Sequence, residues 1–486
     1  MSGFVGCLAH STEECVKRIF YMTDYHSHLG AENAGVAFLM GKVFLSEIHS
    51  ISDGKHFRDL FEQDIAEMIR RSEAVETPIK FGLGIISDRD PQPLMYRSRF
   101  GDVAIVTVGR VPNLNQLAKE LGTQGSFSLR ENGKINIAEV VIRLMEEKAD
   151  LVEGIRHMWS RITGSLSLIM IFSDGRMIGA RDRYGVSPLV LGRGDGGVVA
   201  LASEVSSFFN LGIKTHHFLK PGEIVQVSQS RITTLTKGCQ GNCRTCAFNW
   251  VYAGFPASAY EGIGVEPARN RCGAALASHD NVEVDIVAGI PDSGTGHAIG
   301  YANKSGMLFG RPLMKYTPTW PRSYLPATQA LRDMIAEMKL LPVMELIEGK
   351  RLLFCEDSIV RGTQLHKRIR NLYELGAQEV HIRVACPPLM WPCPNLRATR
   401  EFDELAARRS ILELEGSPID DVSAYLDPDS DHYARMVAKI GTWIKATSLK
   451  YLTLDDMVAA IGLPKDQLCT YCWTGIPIDR NGLIED

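Results

Sequence analysis

The chain has 486 residues, room for about three domains at roughly 150 residues each, and 53 Lys plus Arg against 57 Asp plus Glu leave a net charge of −4. A balance this near neutral gives no general attraction for nucleic-acid phosphates, and 45% hydrophobic against 23% charged residues excludes a disordered chain. No apolar run approaches the roughly 20 residues of a membrane helix. The start, Met-Ser-Gly-Phe-Val-Gly-Cys, lacks the basic flank and long apolar core of a secretory signal, so neither a membrane nor nucleic acid is expected as a partner and the cytoplasm is the expected location.

Residues 1 to about 235 read as α+β. Amphipathic segments Cys15–Tyr25 and Phe57–Arg70 alternate with short apolar strands at Gly35–Leu39, Val103–Val108, Leu166–Phe172 and Val198–Ala202. The Gly-rich stretch Gly192–Gly197 lacks a strand–turn–helix context and is expected to be a hairpin turn rather than a nucleotide loop. Residues 236–261 form a Cys- and Gly-rich link. From 262 to 486 the pattern becomes α/β: helix Gly262–Ala277, strand Val284–Ala288, helix Gly296–Ser305, strand Arg351–Cys355, helix Gln364–Glu374 and strand Glu379–Ala385, with a helical stretch over about 430–462. Strands alternating with helices predict a mostly parallel sheet, whose ligands bind beyond the carboxyl ends of its strands.

The most informative segment is Arg351-Leu-Leu-Phe-Cys-Glu-Asp-Ser-Ile-Val-Arg-Gly-Thr-Gln364. A buried strand ends in two carboxylates, followed by a loop and a helix. The N–H groups of Ser358, Ile359, Val360, Arg361, Gly362 and Thr363 can cradle a phosphate. Glu356 and Asp357 can accept from a ribose diol or face Mg²⁺. This segment resembles the phosphoribosyl pyrophosphate (PRPP) loop of type I phosphoribosyltransferases. Ile290-Pro-Asp-Ser-Gly-Thr-Gly296 resembles the pyrophosphate turn of that family, and Arg322-Ser-Tyr-Leu with Thr328-Gln329 and Leu331-Arg332 resembles the flexible loop of glutamine PRPP amidotransferases. With Lys339-Leu-Leu-Pro-Val343 and Gly349-Lys-Arg351, the resemblance is to the amidophosphoribosyltransferase family, nearly end to end and strongest over about 262–395.

That resemblance implies an N-terminal αββα glutaminase of the Ntn-hydrolase type, followed by an α/β type I phosphoribosyltransferase. It implies a PRPP–Mg²⁺ site in which Asp292, Ser293, Gly294 and Thr295 hold the pyrophosphate. Glu356 and Asp357 hold the ribose and the metal, and Arg322 supplies a cation from a closing loop. A small amine is the second substrate and a homo-oligomer is the expected assembly. His297, beside the turn, is a further candidate for diphosphate contact, whereas His26 and His28 read as structural and His216-His217 as a surface strand end.

The N-terminal half departs from the family pattern. The nucleophilic cysteine is replaced by Ser2, the glutamine-holding arginine aligns with Ile85, the oxyanion Asn-Gly pair with Val108-Gly109, and the aspartate for the substrate α-amine with Ile137. Apolar side chains can neither stabilise an oxyanion nor pair with a zwitterion. Scaffold stretches Arg181-Asp-Arg-Tyr-Gly-Val-Ser-Pro-Leu189, Ala202-Ser-Glu204 and Pro221-Gly222-Glu223 still resemble the family. The expectation is a glutaminase fold without glutaminase activity, attached to a PRPP-dependent transferase. The alternative is a non-catalytic PRPP- or nucleotide-binding paralogue that regulates or partners another enzyme. In the link, Asn249 replaces a family glutamate and Ala253-Gly-Phe-Pro-Ala-Ser258 replaces a family stretch, which bears on coupling between the halves.

The cysteines number 11, an odd count that argues against a disulfide framework in a cytosolic chain. Cys469-Thr-Tyr-Cys472, with Cys246 and Cys393, resembles the set that holds a 4Fe-4S cluster in one branch of the family; zinc or free thiols are the competing readings. Cys239-x3-Cys243-x2-Cys246 has the spacing of radical S-adenosylmethionine enzymes but not their barrel context, so Cys239 and Cys243 read as spare thiols or alternative ligands. Cys7, Cys15, Cys272, Cys355 and Cys386 read as buried packing residues.

Overall fold

In the computed structural model, the structure describes residues 2–51, 56–122, 135–316, 340–396 and 401–478. The first half is built from two antiparallel sheets laid face to face. One has seven strands, in spatial order Ile213–Phe218, Val190–Gly194, Val199–Ala202, Gly3–Leu8, Ile79–Ser87, Asn33–Met40 and Val43–Ser50. The other has six, in the order Ile232–Thr236, Ile224–Val227, Met177–Ala180, Ser165–Phe172, Gly101–Arg110 and Leu94–Ser98. Val190–Gly194 and Val199–Ala202 pair antiparallel, so Gly192–Gly197 does enter a hairpin.

The Gly3–Leu8 strand shows why its sequence reads as continuously apolar. Phe4 and Leu8 enter the core between the sheets, with Leu83, Val106, Ile169 and Leu201. Val5 and Cys7 face the opposite way, toward Ile19, Met22, Phe57 and Phe61 of the covering helices. A strand covered on both faces has no polar face to alternate with. Thr12–Asp24 and Phe57–Ala74 cover the seven-stranded sheet, the first capped by Ser11 Oγ, which accepts from Glu14 N at 3.2 Å. Leu114–Gly122, Ile137–Glu146 and Leu151–Arg161 cover the six-stranded sheet. The layers are therefore αββα.

The second half carries a four-stranded, all-parallel sheet in the order Ile286–Gly289, Arg351–Glu356, Glu379–Val384 and Ser448–Tyr451. Two expectations from the sequence are corrected here. The stretch 430–462 is not continuously helical: Asp431–Ile444 ends at Lys445, which adopts φ 59°, and the chain then adds the strand Ser448–Tyr451 before helix Leu454–Ile461. Four residues of strand between two helices carry too short a pattern to be read locally. The first strand of the sheet begins at Ile286 rather than Val284, because the Asp285 carboxylate accepts from Arg351 N at 2.8 Å at the entry to the ladder. Among the described residues, no helix is long and apolar enough to cross a membrane.

A buried ion pair braces the third strand of this sheet. Arg383 bonds Asp280, and both side chains are 1% exposed. Tyr301 Oη donates to the same carboxylate at 2.8 Å and Lys450 Nζ at 3.0 Å. Burial works against the carboxylate's charge, but these partners outweigh it and hold the Asp280 pKa well below its usual value. Asp280→Asn should therefore lower unfolding free energy by about 3 kcal/mol at neutral pH, because it strands the buried guanidinium. For the native protein, the depressed pKa means this stabilisation is present above about pH 4 and is lost as pH falls further. Urea unfolding of the variant and the native protein at pH 7 and at about pH 2 checks both statements.

Candidate functional site

The strand Arg351–Glu356 delivers Glu356 and Asp357 to the carboxyl edge of the parallel sheet. Its neighbour Ile286–Gly289 pairs with it so that Gly289 lies opposite Cys355. Both following loops must therefore leave the sheet side by side. The backbone confirms the closeness: Ile290 N donates to Cys355 O at 3.0 Å. A Cβ on Gly294 would stand 2.2 Å from the Cys355 carbonyl oxygen, so only glycine fits where the two loops touch. The Pro291–Asp292 peptide bond is cis, and Thr295 N donates to Asp292 O at 3.2 Å as the helix Thr295–Ser305 begins.

The second loop leads into helix Thr363–Glu374 through Gly362, whose φ of 78° is the left-handed conformation glycine tolerates. The first N–H groups of a helix have no partner within it, which suits the end of the loop Ser358–Thr363 to an anion. Ser358 Oγ donates to Asp357 Oδ2 at 2.6 Å, while Asp357 N donates to Glu356 Oε1 at 3.2 Å. Burial, then the adjacent Asp357 charge, pushes Glu356 well above the usual carboxylate range. A bound cation or a pair of ribose hydroxyls would relieve that cost.

The structure thus gathers Asp292, Ser293, Gly294 and Thr295 beside Glu356, Asp357 and residues 358–363. Arg322 lies outside the described residues. His297 is corrected: it is fully buried, with Nδ1 3.1 Å from Arg269 O and Nε2 3.1 Å from Val251 O, and is turned away from any diphosphate. Lys315 was not singled out in the sequence, yet its ammonium pairs with Asp292. It ends the short strand Leu313–Lys315, and only that strand's position brings it to the turn.

In the first half, Ser2 Oγ accepts from Asp88 N at 3.1 Å, beside the end of the Ile79–Ser87 strand. Ile85 and Val108 lie in the core between the sheets, at 0% and 6% exposure. Ile137 opens its helix in the other core, behind Asn136, whose side chain accepts from Ala138 N. The halves meet at Glu204, a fully buried carboxylate that receives Tyr260 Oη, His28 Nε2 at 3.1 Å and Phe255 N at 3.4 Å. Burial raises its pKa, but His28, His26 and Tyr260 outweigh burial and hold it below the usual range. Arg181 bridges similarly, donating to Glu261 and Thr245 Oγ1 at 2.6 and 3.0 Å.

Four cysteines converge from three segments. Strand Thr245–Cys246 pairs in parallel with Leu468–Cys469, placing Cys246 opposite Cys469. Cys472 and Cys393 share a hydrogen bond, and the charges of Cys246, Cys393, Cys469 and Cys472 act on one another. Leu396 N donates to Cys393 Sγ at 3.1 Å, Asn395 Nδ2 approaches Cys469 Sγ at 3.9 Å, and Arg110 of the first half donates to Cys393 O at 2.6 Å. The Cys472 hydrogen bond draws the Cys393 thiol down to about 7 against burial, while burial pushes Cys469 up to about 12. Four thiols with amide donors around them fit an iron–sulfur cluster. Among the described residues, the one trio whose ligand atoms lie within 4.8 Å of one another is Glu47, His49 and Asp64, so these sulfurs are spread wider than a single tetrahedral zinc would draw them. Cys243 is separate, bonded to Thr245 Oγ1 at 3.3 Å beside Arg181, and Cys239 is exposed. Alkylation of the native protein should therefore label Cys239 first; mass spectrometry of partial digests checks it, with Cys7, Cys15, Cys272, Cys355 and Cys386 protected by burial.

Comparison with known proteins agrees with this geometry. A family described as glutamine amidotransferase domain matches residues 81–210. An amidophosphoribosyltransferase of Methanocaldococcus jannaschii is 28% identical over 490 residues, covering 98% of this chain and 97% of the relative. The chloroplastic amidophosphoribosyltransferase of Vigna aconitifolia is 30% identical, covering 84% of each chain. The glutamine PRPP amidotransferase from B. subtilis, solved in complex with ADP and GMP, superimposes with a TM-score of 0.78 at 27% identity, over 98% of this chain and 97% of that one. Two loops side by side on a parallel sheet, an αββα half before them and relatives aligned over almost their whole length place the chain in the amidophosphoribosyltransferase family.

Proposed function

We propose that the protein is a PRPP-dependent phosphoribosyltransferase that joins ammonia or another small amine to ribose C1 without hydrolysing glutamine itself. The observation that carries the transferase reading is the adjacency of the turn 290–295 to the strand-acid-acid-loop-helix segment 351–374. The 5′-phosphate would take the N–H groups of Ser358–Thr363. Glu356 and Asp357 would hold the ribose hydroxyls and Mg²⁺, and Asp292–Thr295 the diphosphate. Lys315, already paired with Asp292, is placed to meet the same negative charge, and Arg322 is assigned as the cation of the covering loop. The amine nitrogen forms its bond to C1 as the C1–O bond to diphosphate breaks, through an oxocarbenium-like state. Catalysis then comes from holding the reactants and stabilising the departing diphosphate.

The first half, residues 1–235, is read as a scaffold. Ile85 and Val108 fill the inter-sheet core and Ile137 another, so three positions that would serve glutamine instead add to packing. Losing one oxyanion donor alone costs about 3 kcal/mol of transition-state stabilisation. Cys246, Cys393, Cys469 and Cys472 are read as the holders of a 4Fe-4S cluster. Such a group would pin the link 236–261 and the chain's last helix to the transferase half, 262–486.

With Mg²⁺ and PRPP, anaerobically prepared protein should release pyrophosphate when ammonium is added and none when glutamine is added. Asp357→Asn should lower that rate about 10²-fold. Glutamate formation from glutamine would overturn the scaffold reading, and silence with every amine would overturn the transferase reading. Iron and acid-labile sulfide should be found in equal amounts and be lost in Cys393→Ser.

A further inference from the structure

Far from the candidate site, the strand Val43–Ser50 forms one edge of the seven-stranded sheet and pairs along its length with Asn33–Met40. Glu47 stands opposite Val36 and His49 opposite Ala34. Side chains two apart on a strand share a face. Ala34 and Val36 are buried with Phe57, Phe61 and Met68 of the covering helix, and Leu45 packs against the same core. Glu47 and His49 therefore continue the helix-covered face, at the rim where its apolar cover runs out.

The helix Phe57–Ala74 meets them there with Asp64, whose Oδ2 lies 2.7 Å from His49 Nε2. The wholly buried Phe61 ring contacts the His49 imidazole edge to face, with centroids 4.7 Å apart. The imidazole is thus held by packing on one side and by a carboxylate on another. One of its nitrogens and one oxygen each from Glu47 and Asp64 all lie within 4.8 Å of one another.

Two carboxylates brought this close repel, and basic side chains ordinarily offset that cost. Here the arginines of the helix are committed elsewhere, Arg58 to Asp24 and both Arg70 and Arg71 to Glu67. Among the described residues, no lysine or arginine makes an ion pair with Glu47 or Asp64. The missing charge can come from a cation. Magnesium and calcium take oxygen ligands, whereas an imidazole beside two carboxylates is a donor set for zinc, with water completing the tetrahedron. Zinc bonds of about 2 Å draw their ligands closer than that limit, and Glu47, exposed at the rim, can turn inward to meet the ion.

We propose that Glu47, His49 and Asp64 form a site for a divalent transition-metal ion of the zinc type, which ties the edge strand Val43–Ser50 to the helix Phe57–Ala74.

The test uses the full chain without PRPP and Zn²⁺ as the probe. Calorimetry at micromolar protein should show zinc bound. Zinc X-ray absorption tells this site from the thiols, because nitrogen and oxygen ligands lie at about 2.0–2.1 Å and thiolates at about 2.3 Å. His49→Ala and Asp64→Asn should each weaken the nitrogen–oxygen site at least about tenfold. His216→Ala, in a different exposed strand, should leave it unchanged. Zinc should also slow amide exchange over Val43–Ser50 in the native protein and not in His49→Ala. Thermal melts check that each variant folds; if His49→Ala does not, Glu47→Gln at the exposed position carries the test with the same loss. No zinc in a nitrogen–oxygen shell, native affinity in a folded ligand variant, or zinc that binds without slowing exchange would each overturn the proposal.

Discussion

Gly289 faces Cys355 across two parallel strands, and both loops of the candidate site take their places from that pairing. Parallel strands point their carboxyl ends the same way, so the segments that follow must emerge together. One loop brings two carboxylates and a helix start, and the other a turn and a second helix start. Hydrogen-bonded contact between Ile290 and Cys355, and the lack of room for a Cβ on Gly294, hold them in apposition. The proposed ligand, with a phosphate at one end and a diphosphate at the other, would meet this edge without a basic surface, in keeping with a chain whose net charge is only −4.

In the proposed reading, the first half keeps its fold without its chemistry. Its stability comes from two sheets buried on both faces, and an isoleucine or valine serves that purpose better than an arginine or asparagine. Ile85 and Val108 sit among Phe4, Leu83 and Val106 as ordinary core residues. Two buried charged residues of this half lie where it meets the rest of the chain: Glu204 under Tyr260 and Phe255, and Arg181 against Glu261 and Thr245. Those contacts join the halves whether or not ammonia passes between them.

The cysteine site and the carbonyls that Arg269 serves share one short segment. Cys246 pairs with the strand that carries Cys469, Phe248 stacks on Trp473 with ring centroids 5.6 Å apart, and the π-helical turn Asn249–Ala253 follows at once. The link is therefore held at Cys246 and Phe248 by the thiol-bearing tail and at residues 250–254 by Arg269 and His297. It is less a tether than a wedge between the two halves.

By itself the sequence determined the local chemistry. The run from Arg351 to Gln364 declares a strand, two acids, a loop and a helix start, because each is set by neighbours in the chain. The parallel sheet was legible from strands alternating with helices, the αββα half from its resemblance to a known family, and the four clustering cysteines from their resemblance to a known set. Only the tertiary structure decided which distant groups meet. It turned His297 away from the site, since a residue on the inward face of its helix must pack against the link. It brought Lys315 to Asp292, separated Cys243 from the other thiols, and inserted the strand Ser448–Tyr451 into a stretch that reads as helix. It also brought Arg269 to the carbonyls of a π-turn, which leave no mark on the residues around position 269. Short-range pattern encodes elements and loops; partners far apart in the chain are chosen by packing, which local sequence does not record.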